Sequence, residues 1–140
     1  MLALIQYTED NRGSIQFRER KKQIIDFSGL RIGNITPTDC DGLIEYHGKA
    51  YILLELKRRG VEVPKGQLLA LKRAVDDWQR AQKFATLIIA EHDVDNPNTD
   101  IDAASCHVRE FYFKGNKKTG DYTVKALIDR FISFVDSGRC

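Results

Sequence analysis

Cysteine, proline and long apolar runs are all scarce in this 140-residue chain. The three cysteines, Cys40, Cys106 and Cys140, stand far apart and form no CxxC pair. That spacing excludes a disulfide framework and a structural zinc knuckle, and three thiols fall short of the four that an iron–sulfur cluster needs. A reducing, cytoplasmic setting is expected. No stretch has the length of a membrane span or the layout of a signal peptide, so no membrane partner is expected either. With only three prolines, no Pro/Ser-rich linker and no internal repeat, a single domain over residues 1–140 is the expected organisation. A hydrophobic content of 42% supplies enough apolar side chains for one core.

Neither sign of charge dominates. The 22 Lys+Arg and 20 Asp+Glu leave a net charge of +2, which by itself does not imply a polyanionic partner. Basic residues bunch at 18–22, at 57–59 with Lys65 nearby, and at 114–118. Any one such run, taken alone, reads as a solvated face. Also missing are a G-x-S-x-G elbow, a G-x-x-x-x-G-K-[ST] phosphate loop and an HExxH pair. His47 falls in a turn, and His92 and His107 lack the cysteine or histidine neighbours of a zinc site.

What is present is an orderly run of elements. Residues 15–27 place Phe17, Ile24, Ile25 and Phe27 among charges, a helical pattern ended by Ser28-Gly29. Residues 30–35 suggest a short strand leading into the Thr36-Pro37-Thr38 turn. Two runs, 39–46 (DCDGLIEY) and 49–57 (KAYILLELK), flank His47-Gly48 as a hairpin. Leu68, Leu71, Val75 and Trp78 recur at helical spacing over residues 65–83. Residues 84–90 are continuously apolar, as in a strand covered on both faces. After a polar loop over 91–105 come a strand near residues 108–113 and a helix carrying Val124, Leu127, Ile128, Phe131, Ile132 and Val135. This order predicts an α/β (α+β) domain with a mixed central sheet flanked by helices.

Within it, one strand is chemically anomalous. Side chains alternate across a strand, so Glu55 and Lys57 share a face, with Leu54 and Leu56 on the other. Charged groups on so apolar a strand are costly unless paired or bound to a ligand. Asp39 and Asp41 share a face at the start of the preceding strand, with Cys40 expected to point away, and hairpin pairing can bring Asp41 beside Glu55. Two converging carboxylates make a hard-oxygen site suited to Mg²⁺, with Mn²⁺ able to take its place. Such a site suits phosphodiester hydrolysis, with Lys57 orienting water or stabilising transition-state charge. Arg58, Arg59 and Lys65, just beyond, are placed to contact nucleic-acid phosphates.

Acidic-x-Lys tripeptides arise by chance about one and a half times in a chain of this composition. Glu19-Arg20-Lys21 is the second match, but it lies on a predicted helix, where residues two apart do not share a face.

The arrangement Pro37-Thr38-Asp39-Cys40-Asp41-Gly42 followed by Glu55-Leu56-Lys57 resembles the signature of the PD-(D/E)xK nuclease superfamily. That superfamily includes archaeal-type Holliday junction resolvases and RecB-like nucleases. The segments DFSGL, TPTDCDGLIEY, ELK and GQLLAL are also similar to those of small phage- and prophage-encoded proteins. The resemblance spans roughly residues 17–92. It implies a restriction-endonuclease-like αβββαβ core with an added C-terminal strand and helix. It further implies a Mg²⁺-dependent deoxyribonuclease, acting on branched or single-stranded DNA in phage DNA processing. Asp41 and Glu55 would be metal ligands and Lys57 the catalytic lysine. Gln67 matches a glutamine that RecB-like members carry near the metal, and Glu19 matches an extra acidic ligand of resolvase-like members. Resolvase-like members also act as dimers, which makes a homodimer an expectation. Asp39 is a second acid where the simplest pattern has one: a second-metal ligand, a supporting residue or part of the Pro37 turn. The competing expectation is a catalytically inactive nuclease-like domain that binds nucleic acid or a protein partner.

Overall fold

The computed structural model describes residues 24–138. The chain divides into two units, Met1–Pro37 and Thr38–Cys140. Glu19 and most of the helix expected over residues 15–27 lie outside the described residues, and residues 24–27 are not helical. Among the described residues of the first unit a 3₁₀ turn, Ser28–Leu30, is followed by a tight reversal. Ile32 and Ile35 exchange both backbone hydrogen bonds at 2.9 Å around Gly33, whose φ is 59°. The strand expected over residues 30–35 is therefore not formed. The segment folds back on itself, and its polar backbone groups pair locally instead of in a ladder.

The second unit is an α+β assembly of five strands and two helices. Strands β1 (Gly42–Tyr46) and β2 (Ala50–Arg58) form the expected antiparallel hairpin. His47 and Gly48 both adopt positive φ, and the Lys49 N–H donates to the Tyr46 carbonyl at 2.9 Å. Helix α1 (Lys65–Arg80) crosses over to β3 (Phe84–His92), which runs parallel to β2. Strands β4 (His107–Phe113) and β5 (Asn116–Lys118) extend the sheet antiparallel, giving the order β1-β2-β3-β4-β5. Helix α2 (Val124–Asp136) completes the unit. Strand β5 was not anticipated, because its three residues are polar and exposed and show no alternation.

Alternation along the strands divides the core between the two faces of the sheet. Leu53, Ala85, Leu87, Ile89 and Tyr112 pack with Leu71 and Val75 of α1. Ala50, Ile52, Ile88, Ala90 and Val108 pack with Leu127, Phe131 and Val135 of α2. Each large aliphatic side chain buried in this way contributes about 1.5–3 kcal/mol of transfer free energy. The central strand β3 is buried from Ala85 to Ala90, which explains its unbroken apolar run. Among the described residues no helix is long and apolar enough to cross a membrane.

Candidate active site

Glu55 and Lys57 belong to the odd-numbered set of β2 residues and so lie on the face covered by α1. Glu55 is one of two buried polar residues among those described, at 3% exposure. The β1–β2 register ends with Gly42 opposite Leu54, one residue short of Asp41, and the Asp41 carboxylate lies beside that of Glu55. The Leu56 N–H donates to Asp41 Oδ2 at 2.7 Å, fixing that carboxylate at the end of the ladder. Lys57 Nζ lies 3.5 Å from Glu55 Oε2.

Gln67, in the first turn of α1, reaches back over the same strand. Its amide Nε2 donates to Glu55 Oε2, to the Asp39 carbonyl at 3.0 Å and to Asp39 Oδ1 at 3.3 Å. Helix α1 brings this residue within reach because it starts just beyond the C-terminal end of β2. Asp39, Asp41, Glu55, Lys57 and Gln67 therefore form one cluster.

The second Glu55 oxygen, Oε1, is buried and has no hydrogen-bond partner among the described residues. Burial pushes the Glu55 carboxyl above the usual range, and the adjacent Asp41 carboxylate adds to this. The Lys57 ammonium and the Gln67 amide pull in the opposite direction. A buried carboxylate oxygen with no donor, facing a second carboxylate, suits a divalent cation, which would satisfy the lone pairs and relieve the repulsion. Asp41 and Glu55 are the residues that would hold it. Among the described residues no group of three or more His, Cys, Asp or Glu side chains could hold a metal, so the remaining ligands would come from water, backbone or substrate oxygens.

Three features differ from expectation. Cys40 does not point away from the acids. It packs against the α1-side cluster, its thiol donating to the Gly42 and Leu54 carbonyls at 3.1 and 3.4 Å. Regular pairing stops at Gly42, so strand alternation no longer governs residues 39–41. Arg58 and Arg59 are not free cations: Arg58 pairs with Asp95 at 3.8 Å, and Arg59 with Glu91 and Asp93 at 3.6 and 3.4 Å. Lys65, the first residue of α1, is exposed and makes no ion pair among the described residues.

The third is a bridge that the sequence did not signal. The β3–β4 register shifts between Ile89 and Ala90, leaving Arg109 as the extra residue of a bulge. Its guanidinium donates to Glu91 Oε1 at 3.0 Å and to the Val61 carbonyl at 2.8 Å. It thereby ties the β2–α1 connection to β4. Arg109 Nη2 is buried without a partner among the described residues. The bulge is set by pairing across the sheet and has no local sequence mark.

In comparisons with known proteins, no family model, no curated protein and no solved structure matches this chain.

Proposed function

We propose that this protein is a Mg²⁺-dependent nuclease of the PD-(D/E)xK type that hydrolyses DNA phosphodiester bonds. The observation that carries the reading is Glu55, a carboxylate 3% exposed, with one oxygen lacking a partner among the described residues and Asp41, Lys57 and Gln67 around it. Burying such a group costs several kcal/mol unless something compensates, which is hard to account for unless the site takes up a ligand. The hairpin, the crossover helix and the parallel strand β3 correspond to the later part of the αβββαβ order. Its first strand has no counterpart among the described residues.

Asp41 and Glu55 would hold Mg²⁺, or Mn²⁺ in its place, as two acidic ligands. The metal would supply positive charge against the scissile phosphate and acidify the attacking water. Gln67 holds Glu55 in a single orientation and links it to Asp39, so the acids are set before substrate arrives. Lys57, beside Glu55 and 23% exposed, places an ammonium where it can orient water or stabilise charge on the phosphoryl group. The expected substrate is DNA with branched or single-stranded features, met during phage or prophage DNA processing.

The test is incubation of the purified protein with plasmid, single-stranded and four-way-junction DNA in Mg²⁺, Mn²⁺ or EDTA. Cleavage is expected with either metal and not in EDTA, and Lys57→Ala should lower its rate about 10²- to 10³-fold, the scale of a lost transition-state charge partner. Cutting that survives both EDTA and Lys57→Ala would overturn the mechanism.

A further inference from the structure

Lysines gather at the far end of the sheet from Glu55, in a setting unlike that of Arg58 and Arg59. A groove of about 230 Å³ lies between the C-terminal end of α1 and the β4–β5 hairpin, lined by Gln79, Gln82, Lys83, Phe84, Phe113 and Lys114. Lys83 and Lys114 are exposed on its walls, and neither makes an ion pair among the described residues. No acidic side chain lines it. The Lys114 ammonium sits 5.4 Å from the centre of the Phe113 ring, within the range of a cation–π contact. The hairpin continues the basic character through Lys117 and Lys118 on β5, both exposed.

The backbone here is also set against its ordinary preference. The described non-glycine residues with positive φ are His47, Gln82 and Lys114, and two of the three line this groove, with φ of 69° and 53°. Gln82 occupies the position after the end of α1 where glycine is usual. The Lys83 N–H bonds to the Trp78 carbonyl and the Gln82 N–H to the Gln79 carbonyl, both at 3.0 Å. Glycine would relieve left-handed strain at either site. The sequence instead keeps two polar side chains that border the groove.

We propose that this groove binds the phosphate backbone of a nucleic-acid strand. Lys83 and Lys114 neutralise the phosphates, and Phe84 and Phe113 offer apolar surface to the sugar or base. Cationic grooves with aromatic walls hold single strands largely without regard to sequence. Phe84 and Ile89 are five residues apart on β3, and Ile89 is the register neighbour of Glu55, so the groove and the acids lie about 16 Å apart along the sheet. That distance corresponds to about five base steps. The inference does not require the acidic cluster to be catalytic. If that cluster cuts DNA, the groove is where the same strand is held at a distance from the cut.

The experiment measures fluorescence anisotropy of labelled single-stranded DNA with the full chain in EDTA, over a range of salt concentrations. The variant combines Lys83→Gln with Lys114→Asn, the latter because asparagine tolerates positive φ. Both side chains are exposed, and an unchanged thermal melt confirms an intact fold. On an oligonucleotide of about 20 nucleotides the variant should bind about tenfold more weakly, with a salt slope smaller by about 1.4, the value for two lost phosphate contacts. On one of about 4 nucleotides, too short to span the distance between the groove and the acids, the variant should lose affinity by a similar factor. Wild-type binding that the double variant leaves unchanged would overturn the groove while sparing the nuclease reading. Cleavage activity with no measurable strand binding in EDTA would do the same, and absence of both binding and cleavage would overturn both. Displacement of the long strand by inorganic phosphate or a mononucleotide of equal affinity would overturn it as well, by assigning the groove to a small phosphorylated molecule.

Discussion

At Glu55 the chemistry of the site and the stability of the fold pull apart. Burial and Asp41 raise its carboxyl above the ordinary value of 4.5, so the folded chain holds that proton more tightly than the unfolded chain does. The associated stability is fully present below the ordinary carboxyl value and is lost as pH rises through the raised one. Ionised Glu55 therefore weakens the metal-free fold at neutral pH. Glu55→Gln should melt higher than wild type at pH 7 in EDTA, with the difference closing as the pH falls below about 4. A lower melting temperature at pH 7 would mean that Lys57 and Gln67 outweigh burial. Glu55 and Lys57 were legible as residues because they interrupt an apolar strand, and Asp41 because it directly precedes the first strand of a recognisable hairpin. The placement of Cys40 was not legible, since it depends on where the ladder stops.

The elements differ in how firmly their ends are set. Helix α2 begins at Thr123, whose side chain accepts from the Ala126 N–H at 3.1 Å, whereas α1 begins at Pro64 with no side-chain cap. Thr123→Ala should cost about 1 kcal/mol in urea denaturation, the usual loss for such a cap. A loss below a few tenths would show that Phe131 and Val135 hold the helix without it. The helix expected over residues 65–83 was correct in kind and stops at Arg80, because the reversal at Gln82 takes the next residues out of helical geometry. Its apolar stripe was strong, since Leu71 and Val75 are both buried. Residues 30–35 and β5 went the other way. In the first a local turn captured backbone bonds that the pattern assigned to a ladder, and in the second two turn residues with positive φ made a strand from residues with no apolar pattern.

Across the whole molecule, the acids and the basic groove lie at opposite ends of a sheet whose two faces are covered by different helices. Metal binding is expected to show as added stability even where no DNA is cut. In saturating Mg²⁺, at about 100 times its dissociation constant, the wild-type fold should gain about 2.7 kcal/mol, read as a higher melting temperature than in EDTA. Asp41→Asn combined with Glu55→Gln should abolish the gain. A gain that survived the double variant would place the metal elsewhere. Neither experiment depends on finding the right DNA substrate.

The sequence by itself determined the hairpin, the two amphipathic helices, the buried central strand and the face shared by Glu55 and Lys57. Each of these follows from a local period of apolar side chains, or from a charge that breaks it. Only the tertiary structure decided that Gln67 reaches Asp39 and Glu55 together, that acids from the β3–β4 loop engage Arg58 and Arg59, and that a bulge turns Arg109 onto Glu91. It also decided that Lys83 and Lys114, thirty-one positions apart, form the two walls of one groove. The physical reason is the same in each case: these contacts join residues distant in the chain, and their geometry is fixed by strand register and helix placement instead of by the residues on either side.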